Sequence, residues 1–315
     1  MPPPRNTRRT PAVWTREELV EAAERSLNNF VDRRLAEPDT RYAAHVAARR
    51  KALARLFRAL RPIDPDNPDP AAVRAILGDP DLRVALRYAA GPPISEDDLG
   101  VLVTRGTAGL TKGAIDEDPS LAAASLKLIC RLADDARFPW LRARRVPRAG
   151  ELRNAINATA SLNAAQSMQT ERRMYGREVE RRLRDRLLAG GFNHLPPPNR
   201  GRPDSPKHMP GATGFFGECS LYGRRTDLLI GLTDGRTVAV EAKDSASVLN
   251  SVKRVLNDTA AKARFWTTKM GEQVIPVALL SGVFGVDTLI AAQDAGLYLV
   301  WAHDMESFVT WLEAQ

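Results

Sequence analysis

Apolar positions in the first half of the chain recur three and four residues apart, the spacing of helices with one buried face. The segments with this spacing are 15–36, 40–60, 70–77, 80–89, 94–104, 119–136 and 149–166. Thr15 stands where the first helix needs a cap, and Glu17 and Glu18 suit its positive end. Asp64-Pro65, Asp69-Pro70 and Pro92-Pro93 separate the pieces. No fixed-period repeat occurs, and no cluster of His, Cys or carboxylates in this half forms a catalytic set. The expected organisation is a disordered, basic, Pro-rich tail over 1–12 and an all-helical domain over 13–166.

The second half, 167–315, changes character. A strongly charged helix runs from about Gln169 to Ala189 and is stopped by Gly190-Gly191. The loop that follows, 193–213, carries six prolines in 21 residues, which works against regular structure. The period then switches to two, predicting strands at 215–221, 225–232 and 237–243. A helix at 247–265, a strand at 274–281, a helix at 286–295, a strand at 297–302 and a last helix begun by Asp304 complete the pattern. An α/β domain with an α+β type of mixed sheet flanked by helices follows from this order.

Composition narrows the class. The longest apolar stretch, Val274 to Val286, is interrupted by Pro276, Ser281 and Gly282 and falls short of the roughly 18–20 residues that span a bilayer. The opening MPPPRNTRRTP lacks the apolar core of a secretory signal, and two cysteines are too few for a disulfide framework. Together these predict a cytoplasmic protein with no membrane partner. The net charge is +8, and only eight of the 46 basic residues are lysines. Arginine's planar fork suits phosphate and guanine, so a polyanion is the leading partner, although GC-rich coding accounts equally well for the arginines.

The segment RRTDLLIGLTDGRTVAVEAKDS carries the chemistry. Leu228, Ile230 and Leu232 alternate on one strand and Val238, Val240 and Ala242 on the next, so these six face a core. The opposite faces then carry Asp227 on one strand and Glu241 with Lys243 on the other. A two-residue Asp-Gly turn would pair Asp227 with Ala242 and separate the acids. A three-residue loop, Thr233-Asp234-Gly235, pairs Leu232 with Arg236 and so brings Asp227 opposite Glu241; it needs a positive φ at Gly235. Two carboxylates that close repel unless a cation lies between them, and oxygen ligands of this kind suit Mg²⁺. Lys243, on the same face, can hold a water or balance phosphate charge. The competing reading is a solvent-facing hairpin with an ordinary cross-strand Glu–Lys pair.

Asp227, thirteen intervening residues and then Glu241-Ala242-Lys243 resemble the PD-(D/E)xK nuclease signature, with Thr226 in place of its proline. The stretches VEAKDSASVLNSVKRVLNDTAAKARFW, VIPVALLSGVF and LYLVWAHDM resemble XamI-type type II restriction endonucleases, over about residues 150–312. The resemblance implies a restriction-endonuclease-like core behind the helical domain. It also implies Mg²⁺-dependent hydrolysis of phosphodiester bonds at a specific short sequence in double-stranded DNA. Asp227 and Glu241 would bind metal, the Ala242 carbonyl would add a ligand, and Lys243 would position the attacking water. The superfamily often adds a glutamate from the preceding helix; Glu180, in Gly176-x-x-Val179-Glu180, fits best, with Glu178 the alternative.

On the helix after the motif, Leu249, Val252, Leu256, Ala260 and Ala263 read as an apolar stripe. Asn250, Lys253, Arg254 and Asn257 occupy the other side, where they form either a solvated face or a DNA-contacting one. His194 and His208 lack a second ligand set, His303 reads as a local hydrogen-bonding residue, and Cys219 as a small buried one. Two further functions compete with restriction: a structure-specific repair or recombination nuclease, and a non-catalytic DNA-binding protein on a nuclease scaffold. Intact Asp227, Glu241 and Lys243 argue against the last. Cutting both strands of a palindrome favours a homodimer, and restriction implies a cognate DNA methyltransferase.

Overall fold

A computed structural model describes residues 9–106 and 109–315. The chain divides into two compact units. One is Ala36–Glu171; the other joins the chain up to Leu35 with Arg172–Gln315. No helix among the described residues is long and apolar enough to cross a membrane.

This division differs from the expected 13–166 and 167–315 at both ends. The first helix, α1 (Arg16–Ala36), opens on the Thr15 cap, whose hydroxyl accepts from the Glu18 N–H at 3.2 Å while the Thr15 N–H donates to Glu18 Oε2 at 2.7 Å. It lays Leu19, Ala22 and Ala23 into a core with Ala278, Leu280, Leu299 and Trp301, which places it with the sheet. The expected boundary at 166/167 falls inside one helix of 41 residues, α9 (Ala149–Ala189), because no proline interrupts that stretch. Of the expected tail at 1–12, residues 1–8 lie outside the described residues, and Pro11 is buried. Trp14 ties the segment down through its indole N–H to the Leu299 carbonyl at 2.9 Å.

The Ala36–Glu171 unit contains a short π-helical turn, Pro38–Tyr42, then α2 (Ala43–Leu60), α3 (Pro70–Gly78), α4 (Pro80–Arg87), α5 (Glu96–Thr104), α6 (Lys112–Glu117), α7 (Ser120–Leu132), α8 (Pro139–Arg142) and the first part of α9. Asp69-Pro70 and Asp79-Pro80 act as helix starts: each aspartate caps two backbone N–H groups, and each proline takes a first-turn position that needs no donor. Leu53, Leu56, Val73, Ile76, Leu86, Leu99, Ile129 and Phe138 fill the core.

The other unit is built on a six-stranded mixed sheet in the order β1-β2-β5-β6-β7-β8. Its strands are β1 (Asn193–His194), β2 (Gly214–Phe216), β5 (Leu228–Gly231), β6 (Thr237–Ser245), β7 (Val274–Gly282) and β8 (Tyr298–Trp301); β3 (Cys219–Leu221) and β4 (Arg224–Thr226) form a separate hairpin. The single strand expected at 215–221 is therefore two strands in two sheets, interrupted at Gly217-Glu218. The Pro-rich loop is largely irregular, with a distorted turn at α10 (Pro198–Gly201), yet its first residues form β1. A composite helix, α11 (Val248–Ser251), π-helical Val252–Ala260 and α12 (Ala261–Met270), follows β6; α13 (Val286–Asp294) and α14 (Met305–Glu313) flank β8.

Both sheet faces are covered. Leu228, Ile230, Val238, Val240, Val277 and Leu279 pack against Val179, Leu183 and Leu187 of α9 and Phe308 and Leu312 of α14. The other face holds Leu229 and Ala239 against Trp266 of α12, and Ala278 and Leu280 against Val255 and α1.

Candidate active site

The site lies where the sheet forks. β5 and β6 pair antiparallel from Gly231–Thr237 to Leu228–Val240 and stop there, whereas β6 and β7 stay paired in parallel to Ser245–Gly282. The β5–β6 connection is the three-residue loop 233–235. Leu232 N–H donates to the Arg236 carbonyl at 2.9 Å, and Gly235 has φ 85°. Counting along that register brings Asp227 to the level of Glu241, just past the last ladder pair.

Asp227 leaves the regular strand there. Its N–H donates to the Val240 carbonyl at 3.0 Å, and its Oδ2 accepts from the Ala242 N–H at 2.7 Å, so a side chain replaces the missing ladder partner. The buried Thr226 hydroxyl lies 2.9 Å from the Val240 carbonyl and 3.0 Å from the Leu228 carbonyl, which fixes the bulge. The N–H and C=O of one strand residue point to the same side. The Ala242 carbonyl therefore faces the Asp227 side too, where no ladder partner remains.

Glu241 follows on the face of Ala239 and is only 2% exposed. Burial raises its pKa and the Asp227 charge adds to the rise, while Lys243 and Lys262 oppose it. Lys262 Nζ lies 2.9 Å from both Glu241 oxygens, and Lys243 Nζ lies 2.9 Å from Oε2. Lys243 also donates to Asp258 Oδ2 at 2.8 Å. Burial alone would depress the Lys243 pKa, but Glu241 and Asp258 outweigh it and keep the ammonium charged.

α9 contributes Glu180. Burial, and then the charge of Asp227, push its pKa up to about 6, so it lies within the field of Asp227. Glu178 belongs elsewhere: Arg181 holds it at 3.0 and 2.7 Å and keeps its pKa low. Between the two candidates, electrostatics couples Glu180, and not Glu178, to Asp227.

Sequence reading missed Asp258 and Lys262. Their spacing, four apart on the helix after the Glu-x-Lys pair, was a usable signal, because it puts both on one helix side. It was obscured by the apolar stripe expected at Leu249, Val252, Leu256, Ala260 and Ala263. Ala260 and Ala263 are buried as that stripe requires, but Ser251, Val255 and Thr259 take the other inward positions, Leu256 is half-buried, and Leu249 is 84% exposed. The π-helical stretch is the reason, since its wider turn rotates the inward face away from a 3.6-residue period. Asn250, Lys253, Arg254 and Asn257 are all exposed, and Arg254 Nη1 donates back to the Asp244 carbonyl at 2.6 Å.

The remaining candidates have local partners. His194 packs on Phe215, His208 bonds Asp204 at 2.8 Å, and His303 stacks on Trp301. Cys219 is buried, which pushes its thiol up to about 12. Asp244, next to Lys243, lies 3.6 Å from the Arg33 guanidinium, which stacks 3.4 Å from the Tyr175 ring centre.

Chemically, Asp227, Glu241, Glu180 and the Ala242 carbonyl are hard oxygen donors, and the Asp227 charge raises the pKa of both glutamates, a set suited to a divalent cation such as Mg²⁺. Among the described residues no three His, Cys, Asp or Glu side chains form a ready cage. Glu241 spends both oxygens on ammonium groups, so it must yield at least one of them to hold a metal.

A family model described as XamI restriction endonuclease matches residues 66–301. The chain is also 35% identical over 270 residues to the type II restriction enzyme XamI of Xanthomonas campestris pv. amaranthicola, across 84% of this chain and 95% of that protein. No solved structure matches.

Proposed function

Because the chain belongs to the XamI restriction endonuclease family, whose members are type II enzymes that cut DNA at specific sequences, we propose that it cleaves at the fork between β5 and β6 with Mg²⁺ as cofactor. The observation that carries this reading is Asp227, bonded to the Ala242 N–H, beside buried Glu241 and Lys243 where β6 loses its β5 ladder partner, with Glu180 within the field of Asp227.

Asp227, Glu241 and the Ala242 carbonyl would hold the metal, with Glu180 as the third acid. Bound there, the cation would lower the pKa of a coordinated water and offset charge on the phosphate. Asp227 is oriented by the Ala242 N–H, so its second oxygen is free to turn toward a ligand. Lys243, fixed by Asp258, would hold the attacking water and donate to a phosphate oxygen as negative charge develops. Asn250, Lys253, Arg254 and Asn257, exposed on the helix leaving the site, would contact phosphates and base edges. Symmetric cutting of both strands argues for a homodimer, and a companion DNA methyltransferase would protect the host's own sites.

Plasmid DNA incubated with the protein should give discrete fragments with Mg²⁺ and none with EDTA. Asp227→Ala, Glu241→Ala and Lys243→Ala should each leave the plasmid intact while far-UV circular dichroism stays that of the folded wild type. Normal cutting by any of the three would remove that residue from the mechanism.

A further inference from the structure

A Glu-x-Lys pair supplies one ammonium to its acid, yet Glu241 has two. Lys262 is the closer-fitting of them, 2.9 Å from both carboxylate oxygens, whereas Lys243 touches only Oε2 and divides its donors with Asp258. A carboxylate that is 2% exposed must be paired, and Lys262 is the partner that bridges both of its oxygens. Its ammonium, centred on both oxygens, stands in the sector from which a cation approaches a carboxylate.

The two lysines differ in what they would have left if Glu241 took a metal ion. Lys243 would keep Asp258 at 2.8 Å. Lys262 would keep only Asp258 at 3.8 Å, beyond hydrogen-bonding range, and its side chain is 15% exposed. A half-neutralised ammonium beside a divalent cation is repelled by it, and an anion at the same place relieves both. The anion this site receives is a DNA phosphate.

Resting on the metal-centre reading above, we propose that Lys262 is a further residue of the reaction centre, an exchangeable counter-ion. It holds Glu241 when DNA is absent and moves to the cleaved phosphate when metal and DNA bind. Metal binding and DNA binding are thereby coupled, each favouring the other. The free enzyme is held in a state that takes up metal weakly, and Lys262 contacts substrate only in the loaded complex.

The test is a calorimetric Mg²⁺ titration of the full-length protein without DNA, at pH 8, on the wild type, Lys262→Gln and Lys262→Met. Removing the competing charge should tighten Mg²⁺ binding about tenfold, the scale of one modest coupling. The same variants should cut plasmid far more slowly at saturating Mg²⁺, and Lys262→Arg should recover part of the rate. Lys262→Gln keeps a hydrogen bond to Glu241, so it serves if the methionine variant folds poorly. Unchanged or weaker Mg²⁺ binding in both neutral variants would overturn the proposal and leave Lys262 a structural partner of Glu241. Cleavage by the neutral variants at the wild-type rate would also overturn it. If instead the wild type bound no Mg²⁺ and Asp227→Ala cut normally, the metal-centre reading itself would be what failed.

Discussion

Replacing Glu180 by glutamine should make the metal-free enzyme more stable and less active at once. Glu180 has its pKa pushed from an ordinary 4.5 up to about 6 by burial and by Asp227. Below pH 4.5 the acid is protonated in both folded and unfolded chains and costs nothing. As pH rises through 6 the folded chain must ionise a group that the unfolded chain ionised more easily, so stability is lost across that window and stays lost above it. A rise of about 1.5 at about 1.4 kcal/mol per pKa unit sets the loss at about 2 kcal/mol by pH 8, against less than about 1 kcal/mol at pH 5. Partial exposure of the side chain, 15%, makes 1–2 kcal/mol the range to expect at about pH 8. Glutamine has the shape of the protonated acid and escapes the loss. Urea denaturation in EDTA, followed by tryptophan emission, measures the difference; Trp14, Trp266, Trp301 and Trp311 all lie in the sheet-bearing unit, so the signal reports that unit. The variant's advantage should grow by about 1 kcal/mol between pH 5 and pH 8, while plasmid cleavage with Mg²⁺ falls sharply. An equal effect at both pH values, or a destabilised variant at pH 8, would refute the electrostatic coupling of Glu180 to Asp227 and return Glu178 to contention.

Four further outcomes are expected. Gly235→Val places a β-branched residue at φ 85°, which should cost about 1–3 kcal/mol and lower both Tm and activity, although Gly235 touches no candidate ligand. Lys253→Ala and Arg254→Ala should each weaken binding to all DNA sequences alike and lower the salt slope by about one, read by fluorescence anisotropy across a salt series. Asn250→Ala or Asn257→Ala should instead cost about 1–3 kcal/mol at mainly one position of the cut site; unchanged binding in all four would leave this helix face merely solvated. Thr226→Val removes the hydroxyl that spans the Leu228 and Val240 carbonyls, and should reduce cleavage more than it reduces Tm, because what it loosens is the bulge holding Asp227.

Local patterning by itself determined the long helices, the central strands, the mixed sheet and the parity argument. Side chains alternate along a strand, so a three-residue loop ending in Gly235 is enough to bring Asp227 to the level of Glu241. The Asp227…Glu241-x-Lys243 spacing belongs to the same short-range class, since all of it sits on one hairpin. What only tertiary structure decided depends on contacts between segments distant in sequence. The α1 apolar face looks like that of the helices after it, and it joins the sheet because Leu19, Ala22 and Ala23 find partners near residue 280. A boundary drawn where the charge pattern changes, at 166/167, meets no break in α9, because helix hydrogen bonds respond to missing donors and backbone strain, not to charge. The different electrostatics of Glu180 and Glu178 needed the packing of α9 on the sheet, which half-buries the first within the field of Asp227 and leaves the second to Arg181. Lys262 and Asp258 stayed out of view because the π-helical stretch changes which residues face inward, and an i→i+5 hydrogen bond leaves no mark in a sequence read at 3.6 residues per turn.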